Sequence, residues 1–389
     1  MKIIIFGSSG SIGQSTLSLL RILKKNLDFE ILAITGNENI DQLCKDAIEF
    51  KVKRVVTANV RKIDELKQKL SSHEIEFYAG EEAILDTARM GADWVISAII
   101  GFPGVPPTLE SAKFSKIVAI ANKESLVCAG KLLMETAKKF QTKLLPVDSE
   151  HNAIFQCLGK DYKCFFKPNN LKKIILTASG GPFRTWTKES MANATVKQAI
   201  SHPNWKMGEK ISVDSATMMN KGLEMIEAHW LFCLKNNEIE VLIHPESIIH
   251  SMIEFSDRSS LAQLSVPDMK VPIAHGLTWP DRFSTHCSSI DWRNIKKITF
   301  EEVDTKKFPA IKITRLILNE GNSAGCVLNS ANEIAVEAFL EKKINFGKIT
   351  YIIEKILDKF SDKFEESFNS LEELEDFNNS VRVFGKSLI

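Results

Sequence analysis

The chain has no Cys-x-x-Cys pair, no internal repeat, no low-complexity tract and almost no charge imbalance. Each absence removes a class of protein. Its seven cysteines, at 44, 128, 157, 164, 233, 287 and 326, leave one odd and share no paired spacing. This excludes a disulfide framework or a zinc knot and fits buried free thiols in a reducing cytoplasm. Lys and Arg total 50 against 49 Asp and Glu, so no field of one sign recommends nucleic acid or an anionic membrane as partner. No run approaches the roughly 18 to 20 apolar residues that span a bilayer; the nearest, Trp94 to Ile100, stops at Gly101 and Pro103. The first apolar run, from Met1 to Phe6, is too short for a signal-peptide core and leads at once into a Gly-rich turn. A soluble, cytoplasmic, metabolic protein with a small-molecule ligand is expected.

With 389 residues and 44% hydrophobic composition, the chain can bury more than one core, and two or three domains are expected. From Met1 to Asp148, short apolar runs alternate with helical patterns: Ile3 to Phe6, Phe29 to Thr35, Arg54 to Thr57, Ile75 to Tyr78, Asp93 to Ser97, Lys116 to Ile120 and Lys143 to Val147. That alternation predicts an α/β fold with a Rossmann-like parallel sheet over 1–148. Residues 149–280 predict a middle α+β catalytic domain, with strands at Lys173 to Ala178, Ile239 to Ile243, Ile249 to Phe255 and Leu261 to Val266. A helix is expected from about Ser215 to Leu234. The irregular stretch 179–208 is too long for a simple connector and reads as a lid loop. Trp186, Trp205 and Met207 argue against disorder there. After a linker at 281–305, four amphipathic patterns over 306–389 predict a C-terminal helical bundle.

Gly7-Ser8-Ser9-Gly10-Ser11-Ile12-Gly13 lies between the first strand and a helix. There glycines let the backbone approach a pyrophosphate at the helix N-terminus. The spacing is G-x-x-G-x-x-G, which also fits a tight turn without ligand. The second strand ends at Thr35-Gly36-Asn37 without the carboxylate that NAD-binding proteins place on the ribose hydroxyls. This favours NADP, with Gly36, Asn37, Asn39 and backbone N–H groups to meet a 2′-phosphate.

Asp148-Ser149-Glu150-His151 follows the last strand of the sheet, at its carboxyl end. In an extended segment Asp148 and Glu150 share a side, and two such charges ask for a cation or proton between them. Hard oxygen donors suit Mg²⁺ or Mn²⁺. The pair fits a helix N-cap equally well. Further on, Asn220 and Glu224 share a helix face, with Lys221 close by and Ser215 expected near the helix N-terminus, where an anion is favoured. Ser, Asn and Lys donors around one point describe a phosphate pocket. Glu227 is an alternative metal ligand that spacing alone leaves open. Among the histidines, 151, 202, 244 and 250 fall beside motifs, and the segment from His202 to Gly208 has the composition to fold Trp205 over a ligand.

Together these motifs closely resemble the 1-deoxy-D-xylulose 5-phosphate reductoisomerase family of the non-mevalonate isoprenoid pathway. Ala121-Asn122-Lys123-Glu124-Ser125, Ser179-Gly180-Gly181-Pro182-Phe183, Ile243-His244-Pro245 and Asn329-Ser330-Ala331-Asn332-Glu333 extend the match in order along the chain. The resemblance implies a homodimeric enzyme using NADPH with Mg²⁺, Mn²⁺ or Co²⁺. The metal would be a Lewis acid through cleavage and rejoining of a carbon–carbon bond, before hydride reduction yields 2-C-methyl-D-erythritol 4-phosphate. It assigns the metal to Asp148, Glu150 and Glu224, and the substrate phosphate to Ser179, Ser215, Asn220 and Lys221. Lys123, Ser149 and His202 would contact the reacting part, with Trp205 and His250 alongside. Gly7, Ser9, Gly10, Ser11, Ile12, Gly36, Asn37, Asn122, Glu124 and Gly208 would meet the cofactor. Two departures stand out: Gly36-Asn37-Glu38-Asn39 lacks the basic residue frequent in the family, implying a weaker preference for NADPH over NADH, and Glu246 is unusual after His244-Pro245. The competing enzyme class is an NADP-dependent sugar-phosphate dehydrogenase that leaves the carbon skeleton intact.

Overall fold

Residues 1–205, 207–321 and 323–389 are described by a computed structural model. Lys206, part of the His202 to Gly208 motif, and Asn322 lie outside the described residues. The chain forms two compact units, each discontinuous in sequence.

The first comprises Met1–Ser125, Leu133–Asn152 and Asp268–Cys287. Its sheet is built from β1 (Lys2–Phe6), β2 (Glu30–Gly36), β3 (Arg54–Thr57), β4 (Glu76–Ala79), β5 (Trp94–Ser97), β6 (Ile117–Ile120) and β7 (Lys143–Pro146). The order is β4-β3-β2-β1-β5-β6-β7, and every pairing is parallel. Strands covered on both faces explain why the apolar runs are continuous rather than alternating. Strand order reverses between β1 and β5, the switch point outside which open α/β sheets bind ligands.

Contacts divide the chain differently from the expected boundaries at 148 and 280. The helix Lys270–Thr278 belongs to the first unit, where it packs on the helix Ser11–Leu23. Ile273, Ala274 and Leu277 join the sheet's core. The fully buried Trp94 donates its indole N–H to the Gly276 carbonyl at 3.1 Å. A buried indole needs such an acceptor, and none of the local strand pattern announces where it comes from.

The second unit comprises Leu126–Leu132, Ala153–Pro267 and Ser288–Ile389. It holds β8 (Leu171–Ala178), β9 (Ile239–Ile243), β10 (Ile249–Phe255), β11 (Ser260–Leu264) and β12 (Glu301–Glu302), in the order β11-β10-β8-β9-β12. β8 and β9 run parallel; the remaining pairs are antiparallel. The C-terminal helices are Ala310–Glu320, Ala324–Leu340, Lys348–Lys359 and Leu371–Lys386.

Two local expectations are corrected. The helix expected from Ser215 to Leu234 is two helices, Glu209–Ala216 and Met219–Phe232, broken at Met218 with φ +63°. Ser215 therefore sits in the last turn of the first helix, where the dipole does not favour an anion. The stretch 179–208 is also less irregular than expected. It contains the short helices Lys188–Ala192 and Val196–Ala199, capped by the Thr187 and Thr195 hydroxyls. Phe183 is fully buried, with its ring 4.7 Å from that of Trp186 and 5.0 Å from that of Phe346.

Candidate active site

In the first unit, the turn after β1 requires its glycines. Gly7 has φ +78°, and a Cβ there would lie 2.6 Å from the Ala98 carbonyl oxygen; one on Gly13 would lie 2.4 Å from that of Gly7. Gly10 stands at the N-cap of the helix Ser11–Leu23 without a side-chain cap, and no acidic residue lies in the first turn. The first-turn N–H groups thus remain available to an anion. Gly36 comes beside this turn, its Cβ position 3.0 Å from Ser9 Oγ. Asn39 caps the helix Ile40–Phe50, its Oδ1 accepting from the Gln42 N–H at 3.1 Å, which leaves its amide Nδ2 as the donor that would meet an anion. Glu38 accepts from Asn59 at 2.8 Å.

Asn122 is buried, and its Nδ2 donates to the carbonyls of Ile99 (2.7 Å) and Gly101 (2.9 Å) and to Glu124 Oε2 (3.1 Å). It pins the loop after β5 to the loop after β6. Lys123, at the N-cap of the helix Glu124–Phe140, places its ammonium 2.5 Å from Asp148 Oδ2. Burial pushes the Asp148 carboxyl up, but the charge of Lys123 and the hydrogen bond and charge of His151 outweigh it and hold the group well below the ordinary carboxylate range.

The two-residue period expected to align Asp148 and Glu150 does not apply, because the helix Ser149–Leu158 starts at once. Asp148 is its entry residue, its carbonyl accepting from the Asn152 N–H at 2.8 Å. Glu150 lies in the first turn, with Ser149 Oγ donating to its Oε2 at 2.5 Å. Asn152 fixes the turn by donating to the carbonyls of Pro146 (2.9 Å) and Pro272 (3.1 Å).

In the second unit, β8 ends at Ala178 and Ser179 follows. Ser179 Oγ accepts the Gly181 N–H at 3.1 Å and lies 2.9 Å from His202 Nε2. His202 Nδ1 accepts the N–H groups of Asn204 (3.2 Å) and Trp205 (2.9 Å). The proton of the neutral ring is therefore on Nε2, which donates to Ser179. Burial pushes His202 down to about 4. Gly181, at φ +66°, has room for no Cβ, since one would lie 2.5 Å from the Ser215 carbonyl oxygen; the Ser179 turn and Ser215 meet there.

Asn220 Nδ2 and Lys221 Nζ donate to the two oxygens of Glu224, which is 1% exposed. Gly222, poor helix chemistry next to Lys221, has its reason in packing: a Cβ would lie 2.4 Å from Thr314 Oγ1 on the helix Ala310–Glu320. Gly208 is the N-cap of the helix Glu209–Ala216. His250 donates from Nε2 to the Ser265 carbonyl at 3.1 Å, and its ring lies 6.0 Å from that of Trp205. Glu246 accepts from the Thr299 hydroxyl (2.6 Å) and N–H (3.2 Å), fastening the turn after β9 to the segment that precedes β12. His244 joins it, its Nε2 accepting the Ile248 and Ile249 N–H groups at 3.1 Å each. The partnership of Asp214 with Asn332, at 2.8 Å, was not anticipated, although the motif from Asn329 to Glu333 had singled that helix out.

Three family models match the chain in succession. "1-deoxy-D-xylulose 5-phosphate reductoisomerase" covers residues 3–130, "1-deoxy-D-xylulose 5-phosphate reductoisomerase C-terminal domain" covers 144–232, and "DXP reductoisomerase C-terminal domain" covers 264–384. The chain belongs to the 1-deoxy-D-xylulose 5-phosphate reductoisomerase family. A reductoisomerase of Caulobacter vibrioides is 48% identical over 89% of this chain and 85% of its own length. One of Zymomonas mobilis is 44% identical over 99% and 97%. The reductoisomerase from Zymomonas mobilis solved in complex with NADPH matches with a TM-score of 0.90 at 43% identity, over 100% of this chain and 98% of that one. A DOX-P reductoisomerase solved with NADPH, fosmidomycin and magnesium matches with a TM-score of 0.94 at 40% identity, over 100% and 98%. The reductoisomerase family thus accounts for the α/β architecture, the parallel sheet and the C-terminal helices together.

Proposed function

We infer that this chain converts 1-deoxy-D-xylulose 5-phosphate to 2-C-methyl-D-erythritol 4-phosphate, using NADPH and a divalent metal. The observation that carries the reading is the ionised Asp148 at the carboxyl end of the parallel sheet, paired with Lys123 and followed by Glu150. Taken together with Glu224, as the family resemblance implies, these carboxylates would offer only oxygen donors, a chemistry that suits Mg²⁺, Mn²⁺ or Co²⁺. When bound, the ion supplies Lewis-acid polarisation of the substrate's oxygens.

The chain's own groups supply the rest. Ser179, Ser215, Asn220 and Lys221 bind the substrate phosphate, with Lys221 as a point charge. Lys123 moves a proton to or from the substrate oxygen nearest its ammonium, or supports the charge on it. Ser149 and His202 orient the reacting part; His202 does so as a neutral donor, in keeping with the two N–H groups it accepts. Trp205 and His250 exclude water. The first-turn N–H groups of Ser11 and Ile12 take the pyrophosphate, with Gly7, Ser9 and Gly10 giving the backbone its approach. Gly36 and Asn37 face the adenosine end. Asn122, Glu124 and Gly208 complete the cofactor site, Asn122 through the loop it holds.

The chain works as a cytoplasmic homodimer. The dimer is supported by β11 at the edge of the second sheet, where Leu261 is 49% exposed. Among the described residues no helix is long and apolar enough to cross a membrane. The test of function is incubation with the ketose phosphate, NADPH and Mn²⁺, with the product identified by NMR. A branched tetrol phosphate is expected; a reduced but unbranched product would make the chain a sugar-phosphate dehydrogenase instead.

A further inference from the structure

Asp214 lies in the last turn of the helix Glu209–Ala216, directly before Ser215, and is 1% exposed. Its Oδ2 pairs with Lys210 Nζ at 3.0 Å, one turn back on the same helix. Its Oδ1 accepts from Asn332 Nδ2 at 2.8 Å. Asn332 sits in the middle of the helix Ala324–Leu340 and is fully buried. A charge-assisted bond of this kind, shielded from water, is among the stronger ones a protein makes.

The Asp214 backbone belongs to the same knot. Its carbonyl accepts the Thr217 hydroxyl at 3.1 Å, and that hydroxyl accepts the Met219 N–H at 3.2 Å. The Met218 N–H in turn reaches the Ser215 carbonyl at 3.2 Å. Asp214 therefore governs the break between the two helices that carry Ser215 on one side and Asn220 and Lys221 on the other. Behind Asn332 the helix is itself braced. Ser330 Oγ donates to Asn378 Oδ1 at 2.7 Å, and Arg382 pairs with Glu333.

We propose that Asn332 is a positioning residue for the substrate-phosphate subsite: through Asp214 it fixes Ser215 against the Gly180-Gly181 turn and sets the start of the helix that bears Asn220 and Lys221. The C-terminal helices thereby act on substrate binding without touching substrate. The idea rests on the phosphate assignment made above, and it is tested on the full chain with NADPH and Mn²⁺.

Asn332→Ala is expected to raise KM for the ketose phosphate about tenfold, with kcat within about threefold and KM for NADPH within about twofold, because misplacement here affects phosphate contacts first. Asn332→Asp sets a second carboxylate against Asp214 and is expected to lose more. Adding Asp214→Asn to it restores the bond with donor and acceptor exchanged and is expected to recover KM to within about threefold of the parent. Calorimetric binding of inorganic phosphate reads the subsite without turnover and is expected to weaken about tenfold in Asn332→Ala. An unchanged KM and phosphate affinity in Asn332→Ala would overturn the proposal, as would equal losses for NADPH and substrate. If Asn332→Ala does not fold, the exchange pair decides: no recovery over Asn332→Asp alone rejects the positioning role. A parent chain that binds phosphate but forms no branched product refutes the reaction while leaving the phosphate measurement to judge Asn332.

Discussion

At the scale of single residues, hydrogen bonding decides what each ionisable group is able to do. Lys123 Nζ lies 2.5 Å from Asp148 Oδ2, a pairing that orients its side chain. Lys123→Ala is expected to lower kcat by at least about 100-fold with Mn²⁺ bound, the range of a positioned proton donor; near-normal turnover would remove Lys123 from the reaction. His250 makes a different prediction. Unfolded, it gains a proton near its usual value of 6.5; folded, burial pushes it down to about 4 despite the Ser265 and Val266 carbonyls. Between those values acid favours the unfolded chain. Its contribution is therefore full above about pH 6.5 and declines as the pH falls toward 4, by at most ~1.4 kcal/mol per pH unit. Urea midpoints measured at pH 7 and 5 are expected to differ less in His250→Asn than in the parent.

At the scale of elements, periodicity was a sound guide wherever a segment buries one continuous face. β3, β9 and β10 have the bounds their apolar patterns predict, because strand length and turn chemistry agree there. The helix break at Met218 was invisible for the opposite reason. Residues 209–232 are apolar and polar in helical order on both sides of it, and only the left-handed backbone of Met218 interrupts them. Asp148 and Glu150 were legible as residues but not as geometry: strand spacing was extended one step too far into a helix. Gly222 was noticed as an oddity, and its cause lies in a neighbour 92 positions along, Thr314. Gly222→Ala is expected to destabilise the chain by ~1–3 kcal/mol through overpacking. Adding Thr314→Ala should restore part of that loss in chemical denaturation, and an additive loss would show that the contact is not the reason for the glycine.

At the scale of the whole molecule, what the sequence concealed is discontinuity. The parallel sheet, its strand count and the terminal helices follow from local pattern, yet nothing local marks Asp268–Cys287 as part of the first unit. That membership rests on long-range bonds such as Trp94 to Gly276, and on apolar side chains that would fit any core. The consequence concerns the order of synthesis. A ribosome that has released the first 150 residues has delivered all seven strands, but the helix that covers Trp94 and the helix Ser11–Leu23 has yet to be made. The nascent parallel-sheet half must wait, with an uncovered apolar face, until over 100 further residues have emerged. A fragment of residues 1–152 is accordingly expected to bind a hydrophobic dye and aggregate, and to become soluble when residues 268–287 are joined to it by a flexible linker. Equal solubility of the two fragments would mean that the late helix is dispensable to the sheet.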